Sequence, residues 1–208
     1  VLLCRHGETD ANAKGIIQGA GIDPPLNGTG RAQAERLGAA VQSVKLGLVV
    51  SSCLKRAKTT AQLVAQVAGH RGEVVEHADL NEMAYGDLEG KVLRDVMPEL
   101  KAVSKRWAEG DHDHGCPGGG ETPNEVLERG LRGLRHVLET HQPRDAVLVV
   151  GHSRFNKVLL SHLTGKPMHR LPQDNACVNV ISYSHDTKTF VVEHVNLAAD
   201  VLTAEAKL

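Results

Sequence analysis

The pattern that most restricts this fold is the exchange of short apolar runs with longer helix-forming stretches. Runs at residues 1–4, 46–51, 73–77 and 146–150 are rich in Val and Leu, as expected of parallel strands buried on both faces. Two later runs, at residues 176–183 and 189–195, hold more β-branched residues and alternate more. That pattern suits antiparallel or edge strands. Between the runs lie helix signals. Asn27 is placed to cap a helix reaching about Val44. Residues 54–68 are Ala-rich and stop at Gly69. Thr122-Pro123-Asn124-Glu125 is a capping-box pattern with Pro at the first helical position, opening a helix to about Thr140. Ser153 is placed to cap a helix over residues 154–163, which Gly165 and Pro167 close. The order predicts an α/β fold, three-layer α/β/α with a mostly parallel central sheet.

The 208 residues suffice for one sizeable core, so a single domain over residues 1–208 is expected. Only 2% of them are aromatic, which leaves Leu, Val, Ile and Ala to fill the interior and argues against a base-stacking pocket. A formal charge of -1 carries no nucleic-acid footprint, and no apolar stretch approaches a membrane span. Cys4, Cys53, Cys116 and Cys177 form no CxxC pair and read as reduced thiols, with Cys4 and Cys53 resembling small core residues. No signal-peptide pattern is visible. A cytoplasmic protein is expected, with a removed leader before Val1 left open. Residues 86–120 break the strand–helix rhythm with weak helix signals and then a polar, glycine-dense stretch. They read as a mobile, lid-like insertion over a pocket.

Each of the first four strand runs is followed by side chains that can do chemistry: Arg5 and His6, then Arg56, then Glu82, then His152. Parallel strands open their carboxyl ends on one edge, so these five residues are expected to converge there. The set meets the demands of phosphoryl transfer. Two arginines can grip phosphate oxygens bidentately, and fixed donors can neutralise the transferred group without a metal. One neutral histidine can attack phosphorus while the other donates to the phosphoryl oxygens. The carboxyl group can give a proton to the leaving oxygen and later take one from water.

Other motifs read more plainly. Asp111-His112-Asp113-His114 alternates possible ligands within a glycine-rich loop and reads as solvated rather than metal-binding. Glu89 competes with Glu82 as the acid, but its Leu-Glu-Gly context suits a cap or a substrate loop. Residues 151–155 are not a nucleophile elbow, because Phe155 stands where the final glycine belongs.

In sum the motifs resemble the histidine phosphatase superfamily, in its phosphoglycerate-mutase-like branch. The matching residues begin with Arg5-His6-Gly7-Glu8-Thr9, Asn12, Gln18-Gly19, Asp23, Pro25-Leu26, Gly30 and Gln33-Ala34. They continue with Arg56-Ala57, Thr60-Ala61, Leu80-Asn81-Glu82, Gly86 and Leu88-Glu89-Gly90. They end with Pro117-Gly118-Gly119, Glu121 and Gly151-His152-Ser153. The resemblance implies that His6 is the phosphohistidine nucleophile and Glu82 the acid and base. Arg5, Arg56 and His152 then hold the phosphoryl group. Asn12 and Gln18 match loop positions that contact phosphate or substrate. Ser153 matches too, with a plain helix cap as the competing reading.

Within the family, the Gln18-Gly19 loop, the short segment 86–120 and the Pro117–Glu121 sequence resemble the phosphatases more than the mutases. A cofactor-dependent phosphoglycerate mutase, primed by 2,3-bisphosphoglycerate, is the alternative. Otherwise no cofactor is expected. A non-catalytic module binding phosphorylated ligands stays open as another class. The expected partner is a small phosphorylated metabolite, and the expected state a monomer or homodimer.

Overall fold

The computed structural model describes residues 1–205. Four parallel strands, β1 (Leu2–Arg5), β2 (Leu46–Ser51), β3 (Val74–Glu76) and β4 (Ala146–Gly151), share one sheet with β5 (Val178–Ser184) and β6 (Thr189–Leu197). The order is β3-β2-β4-β1-β5-β6, with β5 antiparallel to both β1 and β6. The two β-branched runs are therefore the antiparallel edge that their alternation predicted.

Successive strand side chains point to opposite faces. In β1, Leu2 and Cys4 join one core and Leu3 the other; in β2, Val49 opposes Leu48 and Val50. Burial on both faces is why these runs are uninterrupted, and each fully buried Leu or Val contributes about 1.5–3 kcal/mol. After the four-residue α1 (Asp10–Ala13), helices α2 (Gly28–Ala40) and α3 (Lys55–Ala68) cover the face that holds Leu2. On the opposite face lie α4 (Met97–Ala108), α5 (Pro123–His141) and α6 (Ser153–Thr164). The C-terminal α7 (Ala199–Glu205) adds Leu202 to the first core. Among the described residues, no helix is long and apolar enough to cross a membrane.

The local signals mostly hold. Asn27 accepts from the Gly30 N–H, Gly69 ends α3 at φ 74°, and Thr122 and Glu125 form the full capping box. Several expectations need correction. Helix α2 ends at Ala40 rather than near Val44, because Val41 turns into the core, fully buried, as the chain bends toward β2. Cys53 is exposed, one step past the edge that buries Ser51 and Ser52, whereas the other three thiols are buried. Within residues 86–120 the weak helix signals correspond to α4, which buries Leu100, Val103 and Trp107 and has Pro98 in its first turn, and the glycine-dense stretch after it runs as turns and irregular chain.

Candidate active site

The carboxyl ends of β1, β2 and β4 are stitched together beyond the strands themselves. The His6 N–H donates to the Gly151 carbonyl at 3.1 Å, and the Ser52 N–H to that of Val150 at 3.2 Å. The first turn after β1 also runs against the start of α2. A Cβ on Gly7 would collide with the Gly30 carbonyl oxygen, so only glycine allows this approach.

His6 and His152 lie 5.2 Å apart, ring centre to ring centre. His6 is 2% exposed, and its Nδ1 meets the Gly7 carbonyl oxygen at 2.7 Å. A carbonyl can only accept, so the proton sits on Nδ1 and leaves Nε2 with a free lone pair. Burial, then the charges of Arg5 and Arg56, hold His6 well below the usual histidine range, which keeps the ring neutral. His152 is depressed in the same direction by burial, then by Arg56, His6 and Arg5. Its Nε2 lies 2.7 Å from the Ser52 hydroxyl, which already accepts from the Leu54 N–H. When the hydroxyl donates to Nε2, the imidazole proton stands on Nδ1, a buried atom with no protein partner among the described residues.

The arginines are fixed from behind. Arg56 is 1% exposed and donates to the carbonyls of Gly19 at 2.7 Å and Ile22 at 3.0 Å. Asp23 lies 3.5 Å from its guanidinium and also accepts from the Lys55 N–H, capping α3 where Leu54 offers no cap. Arg5 donates to the Gln173 carbonyl at 2.7 Å. The Nε atoms of both arginines are buried without a partner among the described residues. Burial lowers the pKa of both, and the Glu82 charge opposes it in both.

Glu82 reaches the same edge and changes the reading of α6. Its carboxylate accepts from the N–H groups of Met83, Arg154 and Phe155 at 3.0, 3.2 and 2.8 Å. Helix α6 begins at Ser153 with His152 at its N-cap position, and neither offers a side-chain cap bond. The cap expected of Ser153 is therefore supplied by a carboxylate from 71 positions earlier in the chain (153 − 82), which satisfies otherwise orphaned N–H groups.

A cavity of about 160 Å³ opens on this edge, lined in part by Arg5, His6, Arg56 and Glu82. Asn12, Gln18 and Ser153 also line it. His152 is fully buried beside it, with its ring packed against that of His6. The Asn12 and Gln18 carbonyl oxygens are taken by Thr9, which leaves their amide N–H groups without partners among the described residues. Glu89 accepts from the N–H groups of Ala20, Gly21 and Tyr85, so it holds the loop beneath Arg56 rather than facing the cavity. The tract 111–114 is likewise engaged. Asp111 pairs with Arg106, His112 meets the Trp107 carbonyl and Asp113 accepts from Asn124. No group of three or more metal-binding side chains occurs among the described residues.

Sequence reasoning passed over several residues that build the site. Ser52 bonds the Nε2 of His152. Gln173 bonds Asn156 and Asn179 in a buried network behind β1 and presents its carbonyl to Arg5. Arg129 ties the carbonyls of Asp79, Asn81 and Glu82 to Glu121. Arg154 lines the cavity beside Tyr85. Only the position of Ser52 at a strand end and of Arg154 beside Ser153 could have drawn attention to them.

Comparison with known proteins gives the family of the chain. The model of the histidine phosphatase superfamily (branch 1) matches residues 1–196. An uncharacterized phosphatase, PhoE, of Bacillus subtilis is 34% identical over 188 residues, covering 89% of both chains. A probable phosphoglycerate mutase, GpmB, of Salmonella choleraesuis is 32% identical over 186 residues, covering 88% of this chain and 84% of its own. The crystal structure of the alpha-ribazole phosphatase from Shigella flexneri superposes with a TM-score of 0.76 at 31% identity, covering 94% of this chain and 95% of that one. The chain belongs to the histidine phosphatase superfamily.

Proposed function

We propose that this protein is a phosphatase that hydrolyses small phosphate monoesters through a phosphohistidine on His6. The observation that carries the reading is the state of His6: neutral, protonated on Nδ1 by the Gly7 bond, and lining a cavity with three arginines and a carboxylate. In the first step Nε2 attacks phosphorus in line. The bond to the ester oxygen breaks, and Glu82 delivers the proton that the leaving oxygen needs. In the second step Glu82 takes a proton from water as the water oxygen bonds to phosphorus. The P–N bond then breaks, returning His6 and releasing inorganic phosphate. Arg5, Arg56 and His152 hold the phosphoryl oxygens, with Asn12, Gln18 and Ser153 contacting phosphate or substrate around the rim. Their cationic and N–H groups do the neutralising, so the reaction needs no metal.

The test is p-nitrophenyl phosphate turnover, with and without EDTA, alongside trapping of acid-labile phosphate on the protein. We expect turnover that EDTA leaves unchanged. His6→Ala should lose the label and at least about 10⁴-fold in kcat. Retention of either by His6→Ala removes the nucleophile from this scheme. Interconversion of 3- and 2-phosphoglycerate that outpaces hydrolysis when 2,3-bisphosphoglycerate is added decides for a mutase instead.

A further inference from the structure

A second cavity shares one residue with the catalytic one. It measures about 690 Å³, lies between α4, the start of α5 and α6, and has Arg154 in common with the 160 Å³ cavity. Its lining includes Arg154, Lys157 and Lys166 with three imidazoles, His112, His162 and His169, and not one Asp or Glu. In a chain whose 25 acidic residues outnumber its 24 basic ones, a cavity with several cations and no counter-charge is a departure. Elsewhere the same chain pairs cations readily, as at Arg129–Glu121 and Arg132–Asp79.

The cations here are held but not neutralised. Arg154 spends only Nε, on the Tyr85 hydroxyl at 3.0 Å, and its guanidinium lies 5.2 Å above the Trp107 ring. Trp107 is itself pinned by its Nε1 bond to the His114 carbonyl at 2.7 Å. The terminal nitrogens of Arg154, Lys157 and Lys166 have no protein acceptor among the described residues. Arg154 and Lys157 stand three positions apart on α6 and so share a face. Burial, then the charges of Arg154 and Arg5, lower the Lys157 pKa, and the more distant Glu82 and Asp174 only oppose that shift.

Arg5 and Arg56 face the phosphoryl group, whereas Arg154 and Lys157, on the helix that leads away from it, keep terminal nitrogens without an acceptor. We infer that this cavity is an anion-binding site for a second phosphate or carboxylate carried by the leaving group, so that the preferred substrates are phosphate monoesters with a remote anionic group. The inference rests on the phosphatase reading above.

Binding to His6→Ala separates the two, because that variant is read without turnover. Calorimetry should give butane-1,4-diyl bisphosphate at least about tenfold tighter than butyl phosphate. In His6→Ala/Lys157→Met, and in His6→Ala/Lys166→Met as an independent and exposed position, that ratio should fall at least threefold. Equal affinities for the two esters overturn the inference whatever the wild type hydrolyses. Two inorganic phosphates bound, with one lost in the Lys157→Met background and no preference between the esters, identify a site for a free anion and also overturn it. A preserved preference in a wild type that turns over neither ester nor p-nitrophenyl phosphate sinks the phosphatase reading and leaves the anion site standing.

Discussion

The carboxyl edge of the sheet is held from below, whereas the segment above it, residues 86–120, is held at its ends. At the edge, His6, Arg56 and His152 are each at most 2% exposed, and each has a buried partner that sets its orientation. In the covering segment, the Asp87 N–H donates to the Pro117 carbonyl and the Glu121 N–H to that of Ala84, both at 2.9 Å, closing the two ends on each other. Between those ends, α4 packs by Leu100, Val103 and Trp107, and the Leu93 N–H reaches the Gly15 carbonyl at 2.7 Å. Phosphoryl transfer needs donors fixed before the substrate arrives. A leaving group needs only a shaped wall, and that wall can change in sequence while the edge stays put.

Three substitutions sharpen this contrast. Glu82→Gln should have the largest effect, lowering kcat by about 10²–10⁴-fold, the usual worth of general acid–base catalysis. Glutamine keeps one acceptor oxygen toward the N–H groups of α6, so the stability loss should be about 1 kcal/mol or less. Thermal unfolding beside steady-state kinetics reads both, and a kcat near that of wild type removes Glu82 from the chemistry. Ser52→Ala comes next. Without the hydroxyl proton, His152 can move its own proton to Nε2, and we expect kcat to fall about 10–100-fold with KM changed less than about twofold. Nitrogen-15 NMR of the imidazole checks the tautomer directly; an unchanged Nδ1 proton means that Ser52 does not set it.

Gly86→Ala should have the smallest effect on rate. Gly86 sits at φ 56°, and a Cβ there would strike the Pro117 carbonyl oxygen that helps close the covering segment. We expect a stability loss of about 1–3 kcal/mol and a several-fold rise in KM, with kcat nearly kept. A kcat loss with intact KM means that the cover takes part in the chemistry, and the contrast between the two regions fails.

How much was legible in the chain differs by residue. His6, Arg56, Glu82 and His152 were found because each follows a strand whose apolar run is unmistakable. Parallel strands must end on one edge. The helix over residues 97–108 was only weakly signalled, because no side-chain cap marks its start and a glycine-rich stretch follows. The cap of α6 was misassigned to Ser153 because capping rules look within about four residues. The real acceptor lies on another strand's loop.

The sequence by itself determined the strand order along the chain, the two-faced burial of the central strands, most helix boundaries and the residues that gather at the carboxyl edge. Those follow from patterns of period two and 3.6 and from caps a few positions apart. Only the tertiary structure decided that Glu82 caps α6, that the Gly7 carbonyl holds the His6 proton on Nδ1, that Ser52 bonds His152, and that Arg154 lines two cavities. Such contacts join residues tens of positions apart. They leave no periodic trace, because nothing in a local stretch of chain depends on which distant group will arrive beside it.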